Sequence, residues 1–118
     1  RDPTRGGLAT TLNEIAQYYQ LGIKLEEQAL PIKQGVEGLV EILGIDPLYL
    51  ANEGKLICIV SEEEMQQVFK VMKKDDLGQR ARVIGEVTDT KAGVYLETKF
   101  GGTRVLKMLQ QQLLPRIC

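Results

Sequence analysis

The sequence predicts an α+β domain, a mixed β-sheet covered by helices, with an extended C-terminal tail. Three observations point there. Apolar residues recur at helical spacing in three separate stretches, glycine or proline punctuates them, and the last third changes to short β-like runs separated by turns. An order of helix, strand, helix, strand, helix and then a strand cluster fits segregated layers better than a doubly wound parallel sheet. The 118 residues suffice for one compact core. We expect the domain at residues 1–108 and the tail at 109–118.

Each element has its own signal. From Gly7 to Tyr19, residues Leu8, Leu12, Ile15, Ala16 and Tyr19 share one helical face. Gly22 ends the connection, and Ile23 to Leu30 reads as a strand stopped by Pro31. Val36, Leu39, Val40 and Leu43 line a second helix that Gly44 stops. Asp46-Pro47 and Asn52-Glu53-Gly54 are turns. Leu56 to Val60 is apolar on both faces, which predicts a central, covered strand and a buried, inert Cys58. Ser61 and Glu64 form a capping box for a helix that buries Met65, Val68, Phe69 and Met72. Ala81 to Val87 and Val94 to Thr98 then predict a hairpin across Lys91-Ala92-Gly93. Gly101-Gly102 reverses the chain into a further strand, Thr103 to Lys107, in preference to a short helix from Thr103 to Gln111.

Composition narrows the function. A net charge of −1 argues against nucleic-acid binding through bulk charge. No apolar run approaches the length of a bilayer span, and no secretory signal is read. Two cysteines far apart fit a reduced, cytoplasmic protein better than a disulfide-stapled one. With no histidine in the chain, histidine triads and most zinc sites are excluded, and we expect no metal site here. Acid–base work falls to carboxylates, lysine, tyrosine or thiol. The chain opens at Arg1 directly on motif-like residues, so it reads as one domain of a longer protein.

Three places could carry chemistry. Thr4-Arg5-Gly6-Gly7 leads into the first helix, where free N–H groups and the helix dipole attract anions and glycine permits close approach. A flexible helix entry with a surface arginine is the plainer reading. Asn52-Glu53-Gly54-Lys55 offers Glu53 as a base and Asn52 as an orienting amide, or else an ordinary polar turn. Cys118 is a thiol at the last position, able to travel on a tail or exposed there by accident. From Lys107 the tail could extend on the order of 35 Å.

These features converge on one family. Arg1-Asp2-Pro3-Thr4-Arg5-Gly6-Gly7-Leu8-Ala9, the run from Asp46 to Leu56, Ile84-Gly85-Glu86-Val87, Phe100-Gly101-Gly102 and the closing Pro115-Arg116-Ile117-Cys118 match it. The chain resembles, over essentially its whole length, the C-terminal domain of the HypE family of hydrogenase-maturation proteins. That family lies within the aminoimidazole-ribonucleotide-synthetase and selenophosphate-synthetase superfamily. The resemblance implies that the carbamoyltransferase HypF loads a carbamoyl group onto Cys118. Mg-ATP then drives dehydration of the S-carboxamide to an S-cyanide, with Thr4, Arg5, Gly6, Gly7 and Asn52 toward the nucleotide and Glu53 taking a proton. The cyano group passes to iron on a HypC–HypD scaffold, for nickel–iron hydrogenase. It also implies that ATP and Mg2+ are held mostly by an N-terminal domain through which the protein dimerises, so this domain alone would be inactive and hold no cofactor. Two rivals are another ATP-using synthetase of the superfamily, of selenophosphate or purine type, and a non-catalytic module binding nucleotide or a partner.

Overall fold

The structure, a computed structural model, describes residues 1–109. Helix α1 (Gly7–Tyr19) starts after Gly6 turns the chain through φ 66° and ends where Gln20 takes a left-handed φ of 54°. Strand β1 (Gly22–Glu26) follows, then a 3-10 turn at Glu27–Ala29 and helix α2 (Gln34–Leu43). A 3-10 turn at Pro47–Tyr49 is capped by the Asp46 carboxylate, which accepts from Leu48 N–H at 3.0 Å. Helix α3 (Glu62–Lys74) and a 3-10 turn at Asp76–Gly78 precede strands β2 (Gly85–Thr88), β3 (Gly93–Glu97) and β4 (Thr103–Leu106). At the start of α3 the Ser61 hydroxyl accepts from Glu64 N–H and donates to the Glu64 carboxylate, the capping expected there.

The sheet order is β2-β1-β3-β4, with β1 antiparallel to β2 and parallel to β3, and β3 antiparallel to β4. This is the mixed sheet the sequence predicts, and β3–β4 is the hairpin expected across Gly101-Gly102. The other predicted hairpin does not form. β1 lies between β2 and β3, and the Thr88–Ala92 connection crosses the start of β1 above Gly22. A side chain at Gly22 would meet the Thr90 and Thr88 hydroxyls at 2.5 and 2.6 Å, so glycine opens the path of the crossover. The expected strand at 81–87 is confined to Gly85–Thr88, and the one at 23–30 to Gly22–Glu26, beyond which the chain coils into its 3-10 turn.

Packing concentrates between one sheet face and α1. Ile23 and Leu25 of β1, Val94 and Leu96 of β3 and Leu106 of β4 alternate inward and meet Ala9, Leu12 and Ala16 of α1. Each large side chain buried there contributes about 1.5–3 kcal/mol. Buried Asn13 donates to Ala9 O and Leu106 O, both at 2.8 Å, tying α1 to β4. Expectations for the other helices need correction. Of the α2 face only Val40 is buried, while Val36, Leu39 and Leu43 are exposed. Met65, Val68, Phe69 and Met72 of α3 are half-buried, because the main neighbour of α3 is the 3-10 turn after it rather than the sheet. Leu56–Val60 is no strand here. It runs over the surface with Leu56 68% exposed, and Cys58 is exposed rather than buried.

Two ties fix the Pro47–Tyr49 turn against the end of β4. Arg104 pairs with Asp46 at 2.8 Å, and the Tyr49 hydroxyl donates to Lys107 O at 2.7 Å. Partial burial, then the Asp46 charge, raises the Tyr49 phenol above its ordinary value near 10. A raised folded-state value favours the neutral phenol, so its contribution is complete below the unfolded value and lost as pH climbs through the folded one. Tyr49→Phe is therefore expected to cost about 1 kcal/mol at neutral pH. It should also flatten the loss of stability that sets in as pH climbs above about 10. Urea unfolding of both proteins across that range reads both effects.

Candidate functional site

Two stretches far apart in sequence are stitched together at the N-terminal end of α1. Arg1 N–H donates to Ile57 O at 2.8 Å and Ile57 N–H donates to Arg1 O at 2.7 Å. Asn52 N–H donates to Pro3 O at 3.1 Å. Gly7, at φ 68°, rests against the backbone of Leu48 to Leu50 so closely that a Cβ would lie 2.5 Å from Leu48 O. The glycine loop and the turn bearing Asn52 and Glu53 are thus neighbours through their backbones.

The loop has the chemistry of an anion cradle. Gly6 and Gly7 both take positive φ, no side chain caps α1, and its first turn holds no acidic residue. A Cβ on Gly6 would collide with Thr10, whose Oγ1 is buried with no hydrogen-bond partner among the described residues. An oxygen-rich group seated on the loop would satisfy that hydroxyl and the free N–H groups. A phosphate therefore fits. Sequence reading passed over Thr10; its spacing of one helical turn from Gly6 was the available signal.

The remaining residues are placed less directly. Arg5 is exposed and forms no ion pair among the described residues. The Thr4 hydroxyl donates to the Asp2 carboxylate at 2.9 Å, so it is engaged within its own loop. Glu53 is exposed, beside Gly54 at φ 73°. Asn52, in the amide orientation that satisfies both neighbours, donates to Glu53 O at 3.2 Å and accepts from Lys55 Nζ at 3.0 Å. Cys118 lies outside the described residues. Among the described residues no three carboxylate, histidine or cysteine side chains gather to hold a metal. No described helix is long and apolar enough to cross a membrane.

A mixed four-stranded sheet with a glycine-rich entry to its first helix defines the class. Residues 1–97 match the family described as AIR synthase related protein, C-terminal domain, and the chain belongs to that family. More narrowly, it is 52% identical over 119 aligned positions to the carbamoyl dehydratase HypE of Bradyrhizobium diazoefficiens, an alignment covering 100% of this chain and 34% of that protein. A crystal structure of hydrogenase maturation protein HypE in complex with ATP superposes with a TM-score of 0.91 at 48% identity, over 100% of this chain and 37% of that one. A crystal structure of a HypE–HypF complex matches with a TM-score of 0.87 at 40% identity, over 92% of this chain and 35% of that one. The chain spans about a third of the length of the relatives it matches.

Proposed function

We propose that the full-length protein is an ATP-dependent carbamoyl dehydratase of hydrogenase maturation and that this domain supplies its carrier thiol, part of its phosphate cradle and its base. The observation that carries this reading is 52% identity, across the whole chain, to a protein named for that activity. The cradle at Gly6 and Gly7 supports it, as does the ATP held by a relative of the same fold.

The chemistry sets the roles. A carboxamide oxygen leaves poorly. When it attacks the γ-phosphorus of ATP, the bond to ADP breaks and the oxygen becomes part of a phosphate leaving group. Departure of that phosphate, with loss of the N–H protons, leaves a nitrile on sulfur. In this reading Cys118 carries the one-carbon unit, and the N–H groups at Gly6 and Gly7, the Thr10 hydroxyl and Arg5 hold phosphate oxygens. Thr4 joins them by giving up its bond to Asp2. Asn52 orients the amide and Glu53 accepts a proton. Mg2+, bound chiefly by the rest of the protein, would neutralise phosphate charge. HypF is the carbamoyl donor enzyme, a HypC–HypD scaffold the acceptor, the protein a homodimer, and the compartment the cytoplasm.

The test weighs the C-terminal peptide after full-length protein is incubated with HypF, carbamoyl phosphate and Mg-ATP. A carbamoyl adduct that then loses one water is the expected result. An unchanged peptide mass would end the proposal. In the same assay Glu53→Gln should keep the carbamoyl adduct and slow its dehydration about 10²- to 10⁴-fold, the usual worth of a general base. Undiminished dehydration would remove Glu53 from that role.

A further inference from the structure

We propose that Lys55 is a positioning residue for the dehydration, acting through the Asn52 amide on the turn that carries Glu53. The inference rests on the activity proposed above and adds a residue to its site. It starts from the Asn52 side chain, whose Nδ2 donates to Glu53 O at 3.2 Å and whose Oδ1 accepts from Lys55 Nζ at 3.0 Å. The backbone is pinned on either side of this turn. Asn52 N–H donates to Pro3 O at 3.1 Å, and Ile57 exchanges both of its backbone bonds with Arg1. Between those ties, residues 53–55 make no backbone-to-backbone hydrogen bond among the described residues. Gly54, at φ 73°, lets the chain double back there. The Asn52 amide, gripped by Lys55, is what spans the turn.

Lysine suits the place because an ammonium can only donate. Facing Oδ1, it dictates which end of the Asn52 amide is oxygen, and Glu53 O, which can only accept, dictates the other end. Lys55 is exposed and forms no ion pair among the described residues, so the Asn52 oxygen is the acceptor that its charge has there. A bond from a charged donor is stronger than a neutral one, and it polarises the amide so that its N–H groups donate better. Among the described residues one N–H and one oxygen lone pair of Asn52 stay uncommitted. That pair complements the oxygen and N–H of a second carboxamide, the group to be dehydrated. With Lys55 removed, the Asn52 amide loses one of its two restraints and the Glu53 turn loses the cross-link that closes it.

The test follows the C-terminal peptide mass over time in full-length protein with HypF, carbamoyl phosphate and Mg-ATP. In Lys55→Met the carbamoyl adduct should form at the unmodified protein's rate and then lose water about tenfold more slowly, the worth of one charge-assisted hydrogen bond. The ATP concentration giving half the maximal rate should stay within about twofold, because the loss lies in orientation rather than nucleotide binding. Lys55→Arg, also a charged donor, should recover dehydration to within about threefold. A merely structural lysine would give no such recovery. Dehydration at full rate in Lys55→Met, no recovery in Lys55→Arg, or a defect confined to ATP affinity would each overturn the proposal. Amide NMR of asparagine-labelled protein checks the contact without turnover. The Asn52 side-chain N–H signals should shift in Lys55→Met and hold near their places in Lys55→Arg, and unmoved signals in Lys55→Met would overturn the proposal too. If the unmodified protein never gains the carbamoyl adduct, the activity itself is wrong and Lys55's part in it falls as well. If it loads and dehydrates while Lys55→Met does so equally fast, the activity stands and the role of Lys55 alone is refuted.

Discussion

Full-length protein carrying Cys118→Ser is expected to show no carbamoyl adduct on its C-terminal peptide and no measurable hydrogenase maturation. The reason lies in the element. A cysteine thiol is intrinsically very nucleophilic and more readily ionised than a hydroxyl. A serine hydroxyl has neither advantage, so the loss should exceed about 10³-fold, at least 4 kcal/mol of barrier. The later step punishes oxygen as well. Passing a cyano group onward breaks its bond to the carrier atom, the electron pair of the new bond coming from the accepting iron scaffold, and a thiolate leaves far more readily than an alkoxide. Loading and delivery would both fail. Deleting Ile117 and Cys118 separates the rival readings. Retained ATP-dependent turnover would favour another synthetase of the superfamily, and unaltered partner binding with no chemistry would favour a binding module.

What could be read in advance was whatever the chain writes locally. Helix α1, the capping at Ser61 and Glu64, the stop at Gly44 and the turn at Gly101-Gly102 are each encoded within a few residues, and each is found. Pairing across distance is not encoded that way. The runs at Gly85–Thr88 and Gly93–Glu97 look like a hairpin, and only the insertion of β1 between them shows otherwise. Residues 56–60 are the sharper lesson. Their pattern is that of a strand covered on both faces, and the described residues leave all but Ile57 exposed. The exposure of Cys58 follows from the same cause, since a thiol in that run is shielded only when a neighbouring strand or layer arrives. At the site, Gly6 and Gly7 were legible because few other residues tolerate what that turn requires. The engagement of Thr4 with Asp2 and the orphaned hydroxyl of Thr10 depend on side-chain directions that spacing alone does not give.

Gly7→Ala should be among the most damaging single-methyl changes in the described structure. Two costs add at that position. At φ 68° a Cβ meets its own backbone, worth roughly 1–2 kcal/mol. It would also stand 2.5 Å from Leu48 O, 2.6 Å from Leu50 O and 2.8 Å from the Tyr49 carbonyl carbon. Those are backbone atoms, and the Asp46–Arg104 pair and the Tyr49–Lys107 bond hold that turn in place. They cannot step aside as a flexible side chain would, so overpacking adds about 1–3 kcal/mol. We expect a total of about 2–5 kcal/mol, a large part of a typical domain's 5–15 kcal/mol. Gly44→Ala is the matched control. Gly44 has nearly the same φ, 65°, and nothing within 4 Å of where its Cβ would be, so only the conformational cost of about 1–2 kcal/mol should appear. Denaturant unfolding of the two variants side by side isolates the contact. If Gly7→Ala proves no worse than Gly44→Ala, the glycine loop is not seated on the Leu48–Leu50 backbone, and the route by which this fold brings its phosphate cradle to Asn52 and Glu53 is wrong.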